Sequence, residues 1–425
     1  MKARQEALEF LKQIGVAATN YSLPEICRDI ISEMEKGLAG ESSSLEMIPT
    51  YVDVPRQIPV NTPVAVFDAG GTNFRTALVH FDAHGDFIVD TFKQTAMPAV
   101  DRQLTKDEFF TAIAKIVRET ANQATRIGFC FSYPSEITPE RDGRLIRFTK
   151  EIKAPEVIGE LIGENLLAKL NIKKPLVILN DTVATLLAGK AASHERPFSS
   201  YIGFILGTGS NASYVEEAKK IVKRPGLRGH QIINIELGNF NKLNRGLVDL
   251  EFDATTTTPG FHVFEKMISG AYLGPLALSC LQKASQAGLF SKDTAERIGL
   301  LASLETKELS LFLANPTANT CLGELACGSA EREKIYTIGS EIVERAAKLA
   351  AAALAACVLK SGKGKLQTEP VCITAEGSTF YKMKDLKANI LFYLKQFLQL
   401  KKRRALEIIA VQDATLMGAA IAAFC

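Results

Sequence analysis

Val64-Ala-Val-Phe-Asp68-Ala-Gly70-Gly71-Thr72-Asn73-Phe-Arg75-Thr-Ala-Leu-Val-His-Phe81 joins a short apolar run to a second one through a pair of glycines. An apolar run ending in an acid, a tight turn and an alternating run predict two strands of a hairpin. After Asp82-Ala-His-Gly-Asp86 a third run starts at Phe87-Ile-Val, which makes a three-strand meander. Next come a helical pattern near 107–121, a strand at Arg126-Ile-Gly-Phe-Cys-Phe, a helix near 156–169, a strand at Leu176-Val-Ile-Leu179 and a helix from about 182 to 192. The same order then recurs. Tyr201-Ile-Gly-Phe-Ile-Leu206 passes through Gly207-Thr-Gly-Ser-Asn211 into Ala212-Ser-Tyr-Val-Glu216, and Ile232-Ile-Asn-Ile-Glu236 supplies a third strand. Beyond a long insertion lie helical patterns around 331–359, a strand at Val371-Cys-Ile-Thr-Ala, a helix near 384–399, a strand over 406–411 and a helix after Thr415. Two passes through one order predict paired α/β domains facing each other across a cleft, with both glycine turns looking into it. Ahead of the first meander, residues 3–17 and 24–38 have the spacing of two amphipathic helices.

A chain of 425 residues with 47% hydrophobic content exceeds the size at which one core stops growing, so two domains are expected. Fifty basic residues stand against 47 acidic ones, net +3, and they are scattered except at Lys401, Lys402, Arg403 and Arg404. That balance gives no footprint for nucleic acid or for an anionic membrane. The basic run falls between a helical pattern and a strand, where a solvated loop is expected. Residues 1–15 mix charges with apolar residues and contain neither a signal-peptide core nor a membrane span, which predicts a cytoplasmic protein. Eight cysteines without a C-x-x-C pair read as free thiols of a reducing compartment. Five histidines without H-E-x-x-H spacing give no expectation of a protein-held transition metal.

The turn at Gly70 and Gly71 lets backbone N–H groups approach phosphate oxygens, Thr72 and Asn73 add donors, and Asp68 can hold Mg²⁺ through water. The same residues also suit an ordinary hairpin turn, and no G-K-[ST] follows as in a Walker loop. Gly207-Thr208-Gly209-Ser210-Asn211 repeats this chemistry at the corresponding place, and two opposed turns point to a phosphate clamp. Asp181 in Asn180-Asp181-Thr182 is either the cap of the following helix or a carboxylate that accepts a proton from a hydroxyl nucleophile. Lys150 is either a phosphate donor or an exposed loop lysine. Glu236 and Glu265 can each accept two hydrogen bonds from vicinal sugar hydroxyls, or can be a strand-end charge and a solvent-facing helix residue.

From about residue 60 to the C-terminus the chain resembles the hexokinase family. The resemblance rests on Phe67-Asp-Ala-Gly-Gly-Thr-Asn-Phe-Arg75, Phe131-Ser-Tyr-Pro134, Phe148-Thr-Lys150, Leu179-Asn-Asp-Thr-Val183, Ile205-Leu-Gly-Thr-Gly-Ser-Asn-Ala212, Asn234-Ile-Glu-Leu-Gly238, Pro259-Gly260, Phe264-Glu-Lys-Met-Ile-Ser-Gly270 and Glu376-Gly-Ser378. It implies an actin-like ATPase (ribonuclease H-like) fold in which two α/β domains flank a deep cleft. The small domain would be 63–191 plus 412–425, and the large one 1–62 plus 192–411. By the same resemblance Asp181 is the general base, and Ser132, Thr149, Lys150, Asn180, Asn211, Glu236 and Glu265 surround the hexose with it. Lys150 also lies near the transferred phosphoryl group and counts as catalytic. Asp68, Gly70, Gly71, Thr72, Asn73, Arg75, Thr208, Gly209, Gly377 and Ser378 face the nucleotide, Asp68 holding the metal. The implied activity is transfer from ATP, with Mg²⁺, to the 6-hydroxyl of glucose and of mannose and fructose, the first step of glycolysis.

Some positions depart from the family pattern. Tyr133 stands for the usual phenylalanine, Glu151 for glycine, Leu237 for tryptophan and Thr258 for asparagine, while Gln412-Asp413-Ala-Thr-Leu-Met-Gly418 replaces a Gly-Ser-Gly type loop. A rival from another class is a hexose-sensing regulator of the same fold that binds sugar without turnover. Its mark would be loss of the base, the metal acid or the phosphate turns, and Asp181, Asp68, Lys150 and both turns are present. A filament-forming actin relative would not need Asn180, Glu236 and Glu265.

Overall fold

Runs that are apolar on both faces become central strands, because only a strand covered on both sides can bury every side chain. In the computed structural model, which describes residues 1–425 apart from Arg56, Thr72, Thr149, Lys150, Glu151, His194 and Glu195, Val64–Gly70 is such a strand. It forms β1 of a five-stranded sheet with β2 (Asn73–Phe81), β3 (Phe87–Ala96), β4 (Arg126–Phe131) and β5 (Leu176–Leu179), in the order β3-β2-β1-β4-β5. β1 runs antiparallel to β2, with Asp68 opposite Arg75, and parallel to β4, with Asp68 opposite Cys130. β3 is exposed along nearly its whole length, and Asp90 and Lys93 lie on this free edge, where charge discourages pairing with another chain.

The second sheet repeats the plan. β6 (Ser200–Leu206), β7 (Ser210–Glu217), β8 (His230–Asn234), β9 (Val371–Glu376) and β10 (Leu406–Ile409) are ordered β8-β7-β6-β9-β10, and the segment Ile48–Pro49 adds to the edge beside β8. β6, β7 and β8 are antiparallel, and β9 and β10 parallel.

Two small-residue helices, Asp181–Ala192 and Ala414–Ala422, lie between the sheets and touch each other closely. A Cβ on Gly418 would fall 1.8 Å from the Ala184 carbonyl oxygen, and one on Gly128 would fall 1.9 Å from that of Ala419, so glycine is required where these backbones meet. Val66, Leu186, Ile421, Tyr201 and Cys372, from both sheets and both helices, therefore belong to one buried cluster. Behind the second sheet, the 33-residue helix Ser329–Ser361 carries the buried run Ala350–Ala356 and anchors Lys2–Gln13 and Leu23–Ala39. Its fully buried Arg345 makes a bidentate pair with Asp249 at 2.8 and 2.9 Å. That geometry satisfies two charges that burial would otherwise penalise.

Several expected elements differ in detail. The helix expected over 156–169 begins at Ile162, because Pro155–Val157 forms a separate 3₁₀ turn and Gly159 is left-handed at φ 86°. The helix near 384–399 is α-helical over Leu386–Leu394 and π-helical over Lys395–Lys401. The long insertion contains helices Leu247–Thr255, Val263–Ile268, Leu273–Gln286, Lys292–Leu300 and Thr306–Ala314. The eight cysteines are unpaired. No described helix is long and apolar enough to cross a membrane.

Candidate active site

Asn180 follows the last residue of β5, and its side chain starts the next helix. Its Oδ1 accepts the Thr182 N–H at 2.9 Å, so Asn180, and not Asp181, is the N-cap. Asp181 is the first helical residue, with its own Oδ1 2.8 Å from the same N–H. From the other sheet, Asn211 Nδ2 donates to Asn180 Oδ1 at 3.4 Å and to Asn234 Oδ1 at 2.9 Å. Asn234 Nδ2 in turn donates to Glu236 Oε1 at 2.8 Å. A chain of amides thus leads from one sheet to a carboxylate on the other.

Glu236 does not end a strand, as its sequence position suggested. β8 stops at Asn234, and Glu236 sits two residues on in the left-handed region at φ 57°, opening a 3₁₀ turn. Protein surrounds its carboxyl although the residue keeps some exposure at the cleft wall. Burial pushes its pKa up to about 7, helped by repulsion from Glu46 and Asp181 and opposed by the Asn234 bond and the Arg147 charge.

Glu265 is not solvent-facing either. It lies in the short helix Val263–Ile268, and its Oε2 accepts the Ser210 N–H at 2.8 Å, so it closes the second glycine turn from outside. Buried Lys266 holds that helix in place by donating to Asp253 Oδ1 at 2.5 Å, Thr256 Oγ1 at 2.8 Å and the Thr258 carbonyl at 2.6 Å. Ser132 lies just past β4. Its N–H donates to the Ala69 carbonyl at 3.2 Å, which brings it beside the end of β1.

Asp68 on β1 is 2% exposed, with Arg75 Nε 3.5 Å from its Oδ2 and the Thr415 hydroxyl donating to the same oxygen at 3.2 Å. Gly70 and Gly71 turn the chain two residues later, Gly71 at φ 82°. Asn73 opens β2 but is exposed and accepts from Gln94 on β3 at 3.3 Å. The second turn is pinned from behind. The Gly207 carbonyl accepts from Gly270 N–H and the Thr379 hydroxyl, each at 2.8 Å, and the Thr208 carbonyl accepts from Ala271 N–H at 3.1 Å. Gly377 and Ser378 lie against this turn. Gly377 has φ 109°, and a Cβ there would stand 2.3 Å from the Leu206 carbonyl oxygen. Thr72, Thr149 and Lys150 lie outside the described residues.

The structure adds residues that the sequence reading passed over. Asn234 is one, and its place two before Glu236 in Asn234-Ile-Glu236 was a visible sign. Thr415 is another, and nothing in the sequence marked its bond to Asp68. Glu376 is the third. Its pKa is pushed up to about 7, by burial first and then by Asp181 and Asp68, with Arg75 opposing. Asp181 and Asp68 therefore both repel Glu376, which a divalent cation would relieve. Among the described residues no group of three ligands is placed to hold a metal by itself. The arrangement fits an ion such as Mg²⁺ that keeps most of its waters and takes its remaining oxygens from phosphate.

Family models described as hexokinase match residues 8–191 and 201–425. The chain is 28% identical to Hexokinase-7 of Oryza sativa subsp. japonica, over 94% of this chain and 93% of that one. It is 30% identical to Hexokinase-2 of Solanum tuberosum, over 82% of this chain and 76% of that one, and 32% identical to Hexokinase-1 of Mus musculus, over 85% and 40%. Among solved structures, a hexokinase from Schistosoma mansoni complexed with glucose superimposes with a TM-score of 0.81 at 24% identity, covering 100% of this chain and 99% of that one. A second hexokinase crystal structure gives 0.82 at 23%, with the same coverage. The shared architecture is that of the actin-like ATPases.

Proposed function

Since the chain belongs to the hexokinase family of ATP-dependent sugar kinases, we propose that it transfers the terminal phosphoryl group of ATP to the 6-hydroxyl of glucose, and of mannose and fructose, as the first step of glycolysis in the cytoplasm. The observation that carries this reading is the amide chain from Asn180 through Asn211 and Asn234 to Glu236, with Asp181 adjoining its first member. Carboxylates and amides so arranged offer acceptors and donors for several ring hydroxyls at once.

The hexose is held by Ser132, Asn180, Asn211, Glu236 and Glu265, together with Thr149. Asp181 accepts the proton of the 6-hydroxyl as its oxygen attacks in line with the leaving ADP. The turns at Gly70 and Gly71 and at Thr208 and Gly209 bracket the phosphates, Arg75 and Lys150 offset charge on them, and Asn73, Gly377 and Ser378 line the nucleotide's path. Asp68 would hold Mg²⁺ through water, and the ion would neutralise charge on the phosphate oxygens. Two bodies, 63–191 with 412–425 and 1–62 with 192–411, close over the sugar and exclude water, which would otherwise accept the phosphoryl group.

A coupled assay tests this with Mg-ATP and glucose, mannose, fructose, galactose, N-acetylglucosamine, glycerol and water. Glucose should lead or share the lead in kcat/KM. Galactose, whose 4-hydroxyl points the other way, and glycerol, which leaves buried polar groups unpaired, should trail by at least about tenfold. A preference for glycerol or for the acetylated sugar would overturn the reading, and tight glucose binding without turnover would return the sensor.

A further inference from the structure

The residue after Ser132 links the two halves of the site. Tyr133 is 2% exposed, its ring packed between Phe131 and Phe148 at centroid distances of 4.9 and 5.1 Å. Its hydroxyl donates to the carbonyl of Gly71 at 2.7 Å. Burial moves the phenol's pKa well up, so it remains a donor at any working pH. The chain around it is stitched to the same place. Ser132 N–H donates to the Ala69 carbonyl at 3.2 Å, and the Ser135 hydroxyl donates to the Tyr133 carbonyl at 3.0 Å.

Gly71 is left-handed at the tip of the turn, where no side chain of its own fixes the peptide plane. A peptide is planar, so holding its carbonyl oxygen holds the whole unit. With that oxygen drawn inward to the phenol, it is kept from turning toward phosphate, which it would repel. The phenylalanine usual at this position in the family fills the same space and offers no donor.

We infer that Tyr133 is a positioning residue for the nucleotide: from within the sugar-contacting segment its hydroxyl holds the Gly70–Gly71 turn in phosphate-binding form, so that hexose seated on Ser132 strengthens ATP binding. This rests on the function proposed above. The phenol touches neither substrate, and its effect runs through the turn.

The test is calorimetric titration of Mg²⁺ with a non-hydrolysable ATP analogue into the unchanged protein, Tyr133→Phe and Ser135→Ala, each with and without saturating glucose. A single buried hydrogen bond corresponds to about a 3- to 10-fold change in an equilibrium. Tyr133→Phe should weaken the analogue by about that factor with glucose present and by less without it. It should leave the Kd for glucose measured without nucleotide within about twofold, and the melting temperature within about 2 °C, while glucose affinity with the analogue bound falls by the lost coupling. Ser135→Ala, which loosens the same segment without touching the turn, should bind the analogue as the unchanged protein does. Equal analogue affinity in a folded Tyr133→Phe, or an equal loss in Ser135→Ala, overturns the inference. Turnover of the sugar panel by the unchanged protein decides the functional reading separately. If that protein binds the analogue yet phosphorylates no hexose, the functional reading fails and the titration still decides the role of Tyr133.

Discussion

The turn after β1 and the turn after β6 occupy the same place in two copies of one plan, yet they are held by different means. The first has an acid two residues behind it, Asp68, and a phenol hydroxyl on its tip. The second has Ile205 at the place of Asp68, and backbone groups from 207, 270 and 271 together with Thr379 and Glu265 hold it. On that side the acid comes from the neighbouring strand instead: Glu376 pairs with Ile205 across β9 and β6. The repeat keeps the backbone path and lets charge differ. One turn has a buried carboxylate, Asp68, behind it, while the other is closed by the Glu265 carboxylate on the Ser210 N–H.

The largest expected effect tests whether Asp181 is the base. Asp181→Asn should lower kcat by about 10²- to 10⁴-fold, with hexose affinity changed by less than about tenfold, because the proton is taken in the transition state. Near-normal turnover would remove Asp181 from the role. The two glycines separate the turns directly. Gly71→Val forces a branched side chain into φ 82° and should cut kcat/KM for ATP by at least about tenfold while sparing sugar affinity. Gly209→Val places a Cβ 2.6 Å from Glu265 Oε2 and should damage ATP use and sugar binding together. Identical kinetic patterns in the two variants, both folded by circular dichroism, would erase the distinction.

The smallest effect concerns stability. Glu376 titrates near 7 in the fold against an ordinary 4.5. Between those values the folded state holds a proton that the unfolded chain has released, so stability falls as pH rises through this window and the full penalty applies above about 7. Glu376→Gln removes it. The ligand-free variant should gain about 1–3 kcal/mol at pH 8, read as a melting temperature higher by roughly 1–4 °C, and the gain should fade toward pH 4.5. No gain at pH 8 would mean that the acids of the two sides are not crowded together.

The strands were legible because 64–67 and 201–206 are apolar runs that lead into glycine turns, a pattern that tolerates little else. Repetition of their order gave the paired architecture, and the ordered motifs gave the family. Asn180 and Asp181 were not separable, because both are good caps and only the backbone decides which one occupies that position. Glu236 reads as a strand end because Ile233-Asn-Ile-Glu236 alternates, and a left-handed φ leaves no mark on alternation. Glu376 could have been found by taking the repeat at its word, as an acid at a strand end just before Gly-Ser in the second half. Its crowding with Asp68 and Asp181 is a matter of tertiary distance that no single segment encodes.

The helix Ala414–Ala422, packed on β1 and β4, has a consequence for the order in which the protein can be made. The strands of the first sheet are all made once Leu179 is added, but the face that holds Val66 stays open until Ala414–Ala422 has been made as well. At about 5–20 residues per second the intervening chain takes on the order of 10–50 s. For that time the nascent first sheet carries an uncovered apolar surface, and its final shape waits on a helix from far downstream in the chain.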